Sequence, residues 1–289
     1  MKVAFFGKQF DPSFTHPIQV FIEKLEENDV SITVEESFNS FLSKNTNKKF
    51  VSFKGALKKG DADYLISIGG DGTVLDAVPL VRDSNIPILG INTGRLGFLS
   101  NIDVESVVKA ADALLKKDFE IDKRSLLEVS VDGLDLSQNC YALNEVTIHK
   151  KDTSSMITIH TYLKHTFVNS YWADGLIIST PTGSTAYSLS CGGPIVMPGS
   201  KNIVLTPIAP HNLNVRPLVI PQEEELNLTA DGRDESFFLT LDSRSHTVPN
   251  NSKVTVKPSS FSISLINLKE QNFFSTIRNK LHWGIDRRN

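Results

Sequence analysis

Cysteine is nearly missing from this 289-residue chain. Cys140 and Cys191 are too few for a disulfide framework or a thiolate zinc site, and they read as two reduced, partly buried thiols. An excess of one charge is missing too. Lys and Arg number 30 against 33 Asp and Glu, a formal net charge of −3, so there is no basic field of the kind a nucleic-acid backbone requires. No apolar run is long enough to cross a bilayer. The one in MKVAFFGKQFDP (1–12) is too short for a signal-peptide core and reads as a first strand. Neither nucleic acid nor membrane is expected as a partner, and the expectation is a soluble cytoplasmic protein. Repeats, low-complexity tracts and proline-rich linkers are also lacking. His160 and His165 have no second pair at zinc-ligand spacing, so no metal site built from protein side chains is expected. What is present is an ordinary globular composition, 40% hydrophobic and 22% charged, enough for one large or two medium domains.

The first third alternates strand and helix signals. KVAFFG (2–7), SITVEE (31–36), YLISIGG (64–70) and IPILGIN (86–92) are strand-like. Between and after them IQVFIEKLEEN (18–28), TVLDAVPLVRD (73–83) and VESVVKAADALLKK (104–117) have apolar residues at helical spacing. Strands separated by crossover helices imply a parallel sheet covered on both faces. Asn45 to Lys49 reads as a polar loop.

After about residue 123 the pattern becomes alternating strands with little helix. Residues 125–150 read as two strands around an Asp132-Gly133 turn, and ELNLTADGRDESFFLTLDS as a hairpin. The fold expected is an α/β Rossmann-like N-terminal domain (1–122) followed by a β-rich, sandwich-like domain (123–268). A final helix within 270–283 has Phe273, Phe274, Ile277 and Leu281 on one face, and residues 269–289 are expected to pack back on the first domain.

Three stretches carry chemistry. In YLISIGGDGTVLDA (64–77) an apolar strand stops at Gly69, Gly70, Asp71, Gly72 and Thr73, then a helix begins. A surface turn with a capping aspartate is one reading. The other is a phosphate site: glycines let a ligand approach the backbone, and unpaired N–H groups at a helix start favour an anion. Such a turn lacks the lysine of a Walker A loop, so magnesium would supply the neutralising charge, and Asp71 would be a general base or a metal-positioning carboxylate for phosphoryl transfer. The second stretch, DGLIISTPTGSTAY (174–187), again ends a strand in a turn, dense in hydroxyls beyond what a helix cap requires. The third, Asn144-Glu145, places an amide beside a carboxylate, a pair suited either to solvent or to an adenine or ribose.

Together with NTGRLGFLS (92–100), GGP (192–194) and PHNLNVRPLVIP (210–221), these stretches resemble the NAD kinase family in order and spacing. GGDGT alone is shared with diacylglycerol, sphingosine and phosphofructokinase-type kinases, whereas the joined TPTGSTAY run is specific. The resemblance implies transfer of a phosphoryl group from magnesium-bound ATP, or from inorganic polyphosphate, to the 2′-hydroxyl of the adenosine ribose of NAD, by a homo-oligomer, a dimer or tetramer. It implies Asp71 as proton acceptor with Gly72 beside it, and Gly69, Gly70, Gly72 and Thr73 as phosphate contacts. Asn144, Glu145 and Asp174 become the polar NAD-binding set. Thr182, Thr185, Ala186, Tyr187 and Ser190 become a wall around NAD, with Phe98 and Ala209 as apolar contacts.

Four positions depart from the family pattern: Ser243, Arg244, Trp172 and Asp76. Asp242-Ser243-Arg244 replaces Asp-Gly-Gln, with contact to a substrate phosphate or a solvent-facing side chain as the two readings of Arg244. Trp172 stands at an often basic position, with stacking on a base or ordinary packing as its two readings, and Asp76 at another such position. The rival functions are a lipid or sugar kinase with the same GGDGT turn, and a non-catalytic NAD(P)-binding sensor.

Overall fold

The computed structural model describes residues 1–94, 97–136, 139–151, 155–269 and 271–284. They form two compact units, Met1–Lys123 with Ile263–Asn289, and Arg124–Ser262. In chain order the first unit contains β1 (Lys2–Gly7), α1 (Thr15–Glu26), β2 (Ser31–Glu35), α2 (Glu36–Thr46), β3 (Val51–Phe53), β4 (Tyr64–Gly69), α3 (Asp71–Val81), β5 (Ile88–Asn92), β6 (Ile102–Asp103) and α4 (Val107–Lys116). The sheet order β3-β2-β1-β4-β5, with β6 beside β5, is parallel throughout. Strand order reverses between β1 and β4, the switch point at which ligands of open α/β sheets bind beyond the carboxyl ends. The Gly69–Thr73 turn leaves β4 at that point.

Every residue of β4 is buried, as expected of a strand covered on both faces. Val3, Phe5, Ile66, Ile68, Leu89 and Ile91 pack against α1, α2 and α4, through Phe21, Leu25, Phe38, Leu42, Ala110 and Leu114 among others. The alternate positions Ala4, Leu65 and Ile88 are equally buried on the other face, and α3 packs on β4 and β5.

The second unit is built from β7 (Glu120–Val131), β8 (Tyr141–Ala142), β9 (Glu145–His149), β10 (Ile157–Leu163), β11 (Thr166–Ala173), β12 (Gly175–Ser179), the one-turn α5 (Tyr187–Ser190), β13 (Asn202–Ile208), β14 (Leu218–Pro221), β15 (Leu226–Asp231), β16 (Ser236–Leu241), β17 (Arg244–Pro249) and β18 (Val254–Asn267). Strands β7 and β18 cross the unit boundary, and Leu265 near the end of β18 pairs in parallel with Ile88 of β5. Within the unit one sheet runs β11-β10-β15-β18 and the other, antiparallel, runs β14-β13-β12-β9-β16-β17. Period-2 alternation sends Ile157, Ile159, Leu226 and Leu228 from the first sheet, and Val146, Ile148, Leu176, Ile178, Phe237 and Leu239 from the second, into one core. The fold is an α/β N-terminal domain with a β-rich C-terminal domain, followed by α6 (Phe273–Leu281), which belongs to the first unit.

Several sequence expectations are corrected. The expected pairing across Asp132-Gly133 holds only for a short piece: β7 pairs antiparallel with the two-residue β8, while the rest of the expected second strand, β9, joins the other sheet. Likewise β15 and β16 lie in different sheets, and the true hairpin is β16–β17 with its turn at Asp242-Ser243. Asn45 and Thr46 are the last turn of α2, a Ser- and Asn-rich helix of weak propensity secured by buried Phe38 and Leu42. On α6 Ile277 is buried, Phe273 half-buried, and Phe274 and Leu281 exposed; Glu270 of the expected span lies outside the described residues.

Phe237 is fully buried in the inter-sheet core. Phe237→Ala should therefore lower unfolding free energy by about 3–5 kcal/mol, seen as a reduced urea midpoint with an unchanged m-value.

Candidate active site

In the first unit β4 ends at Gly69, whose φ of +150° belongs to glycine's range. A Cβ there would meet Thr73 Oγ1 at 2.2 Å, so Thr73 covers Gly69 and is itself buried rather than facing a ligand. Gly70 and Gly72 differ. Both are exposed, and a Cβ on either would meet nothing within 4 Å. The protein's own packing does not require these two glycines; what they keep clear is the approach to the N-terminus of α3.

Asp71 opens α3, yet its carboxylate does not cap its own helix. Oδ2 accepts from Phe98 N–H at 2.8 Å, and Oδ1 accepts from Leu99 and Ser100 N–H, both at 2.9 Å. The donor turn is anchored in return: Ser100 Oγ donates to the Gly69 carbonyl (3.0 Å) and Asn92 Nδ2 to the Ser100 carbonyl (3.1 Å). Gly97 is required here, because a Cβ would stand 1.8 Å from Asp71 Oδ1. The Phe98 ring tilts against Phe273 of α6, and Lys280 of that helix sets its ammonium 4.6 Å from the Phe98 centroid and 3.4 Å from Asp71 Oδ2. Asp76, the departure from a basic residue, pairs with Lys8 at 2.5 Å.

The second unit repeats the device. Asp242, at φ +51°, accepts from the N–H groups of Leu143 (2.9 Å), Asn144 (2.8 Å) and Glu145 (3.2 Å). This fixes Asn144-Glu145 at the start of β9. The 180–187 turn docks on the same residues: Thr180 N–H donates to the Asn144 carbonyl (2.9 Å), and a Cβ on Gly183 would stand 2.1 Å from that oxygen. Tyr187 N–H donates to the Glu145 carboxylate. Burial first, and the neighbouring Asp242 carboxylate second, push Glu145 up to about 8, while Oε2 has no hydrogen-bond partner. Burial raises Asp242 as well, against its three amides and Arg244. Glu145 is thus largely protonated at neutral pH and able both to donate and to accept.

The hydroxyls are divided. Thr180 and Ser184 are buried and bond their own chain, Thr180 Oγ1 to the Leu143 carbonyl at 2.6 Å and Ser184 Oγ to the Pro181 carbonyl at 2.7 Å. Thr182 is buried and accepts from Arg124 Nη1 at 3.3 Å, and Thr185 donates to the Thr182 carbonyl at 3.2 Å. Tyr187 and Ser190 are exposed and Ala186 half-buried, so these present a free edge. Asp174 pairs with Lys150 at 2.6 Å. Trp172 is not core: it is 44% exposed, its ring 4.4 Å from that of His211, near the exposed, left-handed Ala209 (φ +43°). Arg244, offered as a phosphate contact, donates instead to the carbonyls of Leu241 (3.3 Å), Asn139 (3.0 Å) and Tyr141, and stands 3.6 Å from Asp242. The spacing of 209 residues hid Lys280 from sequence reasoning altogether, whereas Gly97 lay unremarked inside a quoted stretch.

A glycine–aspartate turn at the switch point of a parallel sheet, on a chain whose second half is a β-rich unit, defines a two-domain nucleotide kinase. The chain belongs to the NAD kinase family: residues 14–119 match the ATP-NAD kinase N-terminal domain and residues 143–268 the ATP-NAD kinase C-terminal domain. It is 47% identical to the NAD kinase of Flavobacterium psychrophilum and 41% to that of Bacteroides fragilis, each over the full length of both chains. Among solved structures it is similar to yeast NADH kinase complexed with NADH (TM-score 0.86, 25% identity, 99% of this chain and 89% of that one). It is also similar to the NAD kinase of Archaeoglobus fulgidus in complex with ATP (TM-score 0.75, 25% identity, 96% and 99%).

Two measurements probe this geometry. Gly97→Ala should loosen the Leu99 and Ser100 amides from Asp71, and with charge-assisted bonds of about 1.5–3 kcal/mol at stake their hydrogen exchange should quicken roughly tenfold or more. Glu145 keeps a proton in the folded state that the unfolded chain has released above its ordinary 4.5, so its contribution to stability is full below that value and declines as pH rises toward about 8. Wild-type unfolding free energy should fall by about 2 kcal/mol more than that of Glu145→Gln between roughly pH 6 and 8, and equal slopes in denaturant titrations would contradict the buried-acid assignment.

Proposed function

We propose that this chain makes NADP by phosphorylating NAD. The oxygen of the adenosine-ribose 2′-hydroxyl forms a bond to the γ-phosphorus of ATP. The bond from that phosphorus to the β–γ bridging oxygen breaks, its electron pair leaving on ADP, and the hydroxyl proton passes to Asp71. The observation that carries the reading is the Asp71 carboxylate, held by three backbone N–H groups beside two exposed glycines at a helix N-terminus. Phosphoryl transfer asks a protein mainly for alignment and charge stabilisation, which this arrangement is built to supply.

Among the described residues no group of three or more His, Cys, Asp or Glu is arranged to hold a metal. The turn offers N–H donors to phosphate oxygens rather than a carboxylate cage, so magnesium belongs to the reaction as part of the MgATP substrate. In this reading Gly70 and Gly72 admit the donor phosphates. Asn144 and protonated Glu145 bond the adenosine end of NAD, Asp174, Tyr187 and Ser190 supply further polar contacts, and Ala186, Ala209 and Trp172 supply apolar ones. Phe98 flanks Asp71. A homo-oligomer acting in the cytoplasm completes the proposal.

The test incubates pure protein with MgATP and NAD and counts NADP with an NADP-specific dehydrogenase. NADP should form only with ATP and magnesium. Asp71→Asn should bind NAD with wild-type affinity in calorimetry but lose about 10²–10⁴-fold in kcat; turnover at the wild-type rate would remove Asp71 from the role of base.

A further inference from the structure

The glycine turn contains no lysine, and Lys8, just after β1, is paired with Asp76 of α3. Yet the turn has a cation. A carboxylate offers about four lone-pair positions, and those of Asp71 are all engaged: three by the N–H groups of residues 98–100 and one by Lys280, 3.4 Å from Oδ2. A substrate hydroxyl that is to give its proton to Asp71 must take one of these positions. The amides cannot yield one, since they belong to a backbone turn anchored by Ser100, Asn92 and the Gly97 N–H to Ser100 carbonyl bond at 3.1 Å. Lys280 can. Its side chain is 33% exposed, and it ends a flexible stem whose ammonium lies over the Phe98 ring.

The helix that carries Lys280 is firmly placed. Asn272 closes a capping box with Ser275, Gln271 Nε2 donates to the Asn101 carbonyl at 2.7 Å, Ile277 is buried, and Phe273 packs on Phe98. The stem therefore pivots from a fixed base within a few ångströms of Asp71.

We infer that Lys280 is a positioning residue for the phosphoryl transfer: its ammonium holds the acceptor position on Asp71 that the substrate hydroxyl replaces, and once displaced it turns its charge to the transferring phosphoryl group. The inference rests on the functional reading above. It gives the lysine-free turn the cation it lacks, delivered by α6. An ion pair this exposed contributes little to stability, so the charge can be removed without unfolding the protein.

Steady-state kinetics with MgATP and NAD, paired with thermal unfolding, test it on three full-length proteins. Lys280→Met keeps the apolar stem on Phe98 and loses the charge. Its kcat should fall about tenfold or more, its KM for NAD should stay level or drop because a competitor for Asp71 is gone, and its Tm should stay within about 2 °C of wild type. Lys280→Arg should recover kcat to within about threefold of wild type, since charge and reach are retained. A Lys280→Met kcat within about twofold of wild type overturns the inference, because a transition-state charge contact costs far more than that when removed. Equal losses in both variants with a lowered Tm also overturn it, assigning the effect to docking of the helix instead of charge. Wild-type protein that binds NAD but makes no NADP overturns the functional reading and this inference together, a result distinct from either of the others.

Discussion

The carboxylate of Asp71, closed on three consecutive backbone N–H groups, is the interaction on which the first unit's chemistry depends. Backbone donors taken out of water must be paired, and residues 98–100 belong to no strand among the described residues. Asp71 satisfies them from the start of α3. The one bond set thereby ties the end of β4, the beginning of α3 and the loop after β5 into a single rigid corner at the carboxyl edge of the sheet. It also explains the uneven demands on the local glycines. Gly97 makes room for the carboxylate, Gly69 makes room for Thr73, and Gly70 and Gly72 make room for nothing in the protein.

The second unit solves its corner in the same way. Asp242 gathers the N–H groups of residues 143–145 and so aims Asn144 and Glu145. The cost is a second carboxylate buried beside Glu145, which that residue meets by keeping its proton. Arg244 offsets some of the charge and bonds the carbonyls of Asn139 and Tyr141, so the Ser-Arg departure after Asp242 is absorbed into the support of the corner. Each nest has a cation at its rim, and the two differ in commitment. The donors of Arg244 are tied to backbone, while the ammonium of Lys280 reaches Asp71 from an exposed, flexible stem.

Much of this was legible in the linear chain. The strands β1, β2, β4 and β5 and the helices α1, α3 and α4 follow from apolar runs and helical spacing, and the change to period-2 alternation marks the β-rich half. The phosphate turn is visible because glycines, an aspartate and a helix start coincide. Helix α2 was not legible, since Ser and Asn weaken its propensity and its stability comes from two side chains buried against distant strands. Hydroxyl density in 180–190 announced a special turn but did not tell buried Thr180 and Ser184 from exposed Tyr187 and Ser190.

Local chemistry alone thus determined which residues form strands, where the glycine turn falls and which family the chain resembles, because periodicity and turn preference act over a few residues. Pairing partners were decided in three dimensions: β9 leaves β7 for another sheet, and β15 parts from β16, because a strand's alternation says which face is buried and nothing about its neighbour. So were the roles of Asp242, Arg244 and Lys280. Each acts across 97 residues or more, where the deciding terms are pairing of buried N–H groups and the electrostatics of a corner that exists only after the chain has folded.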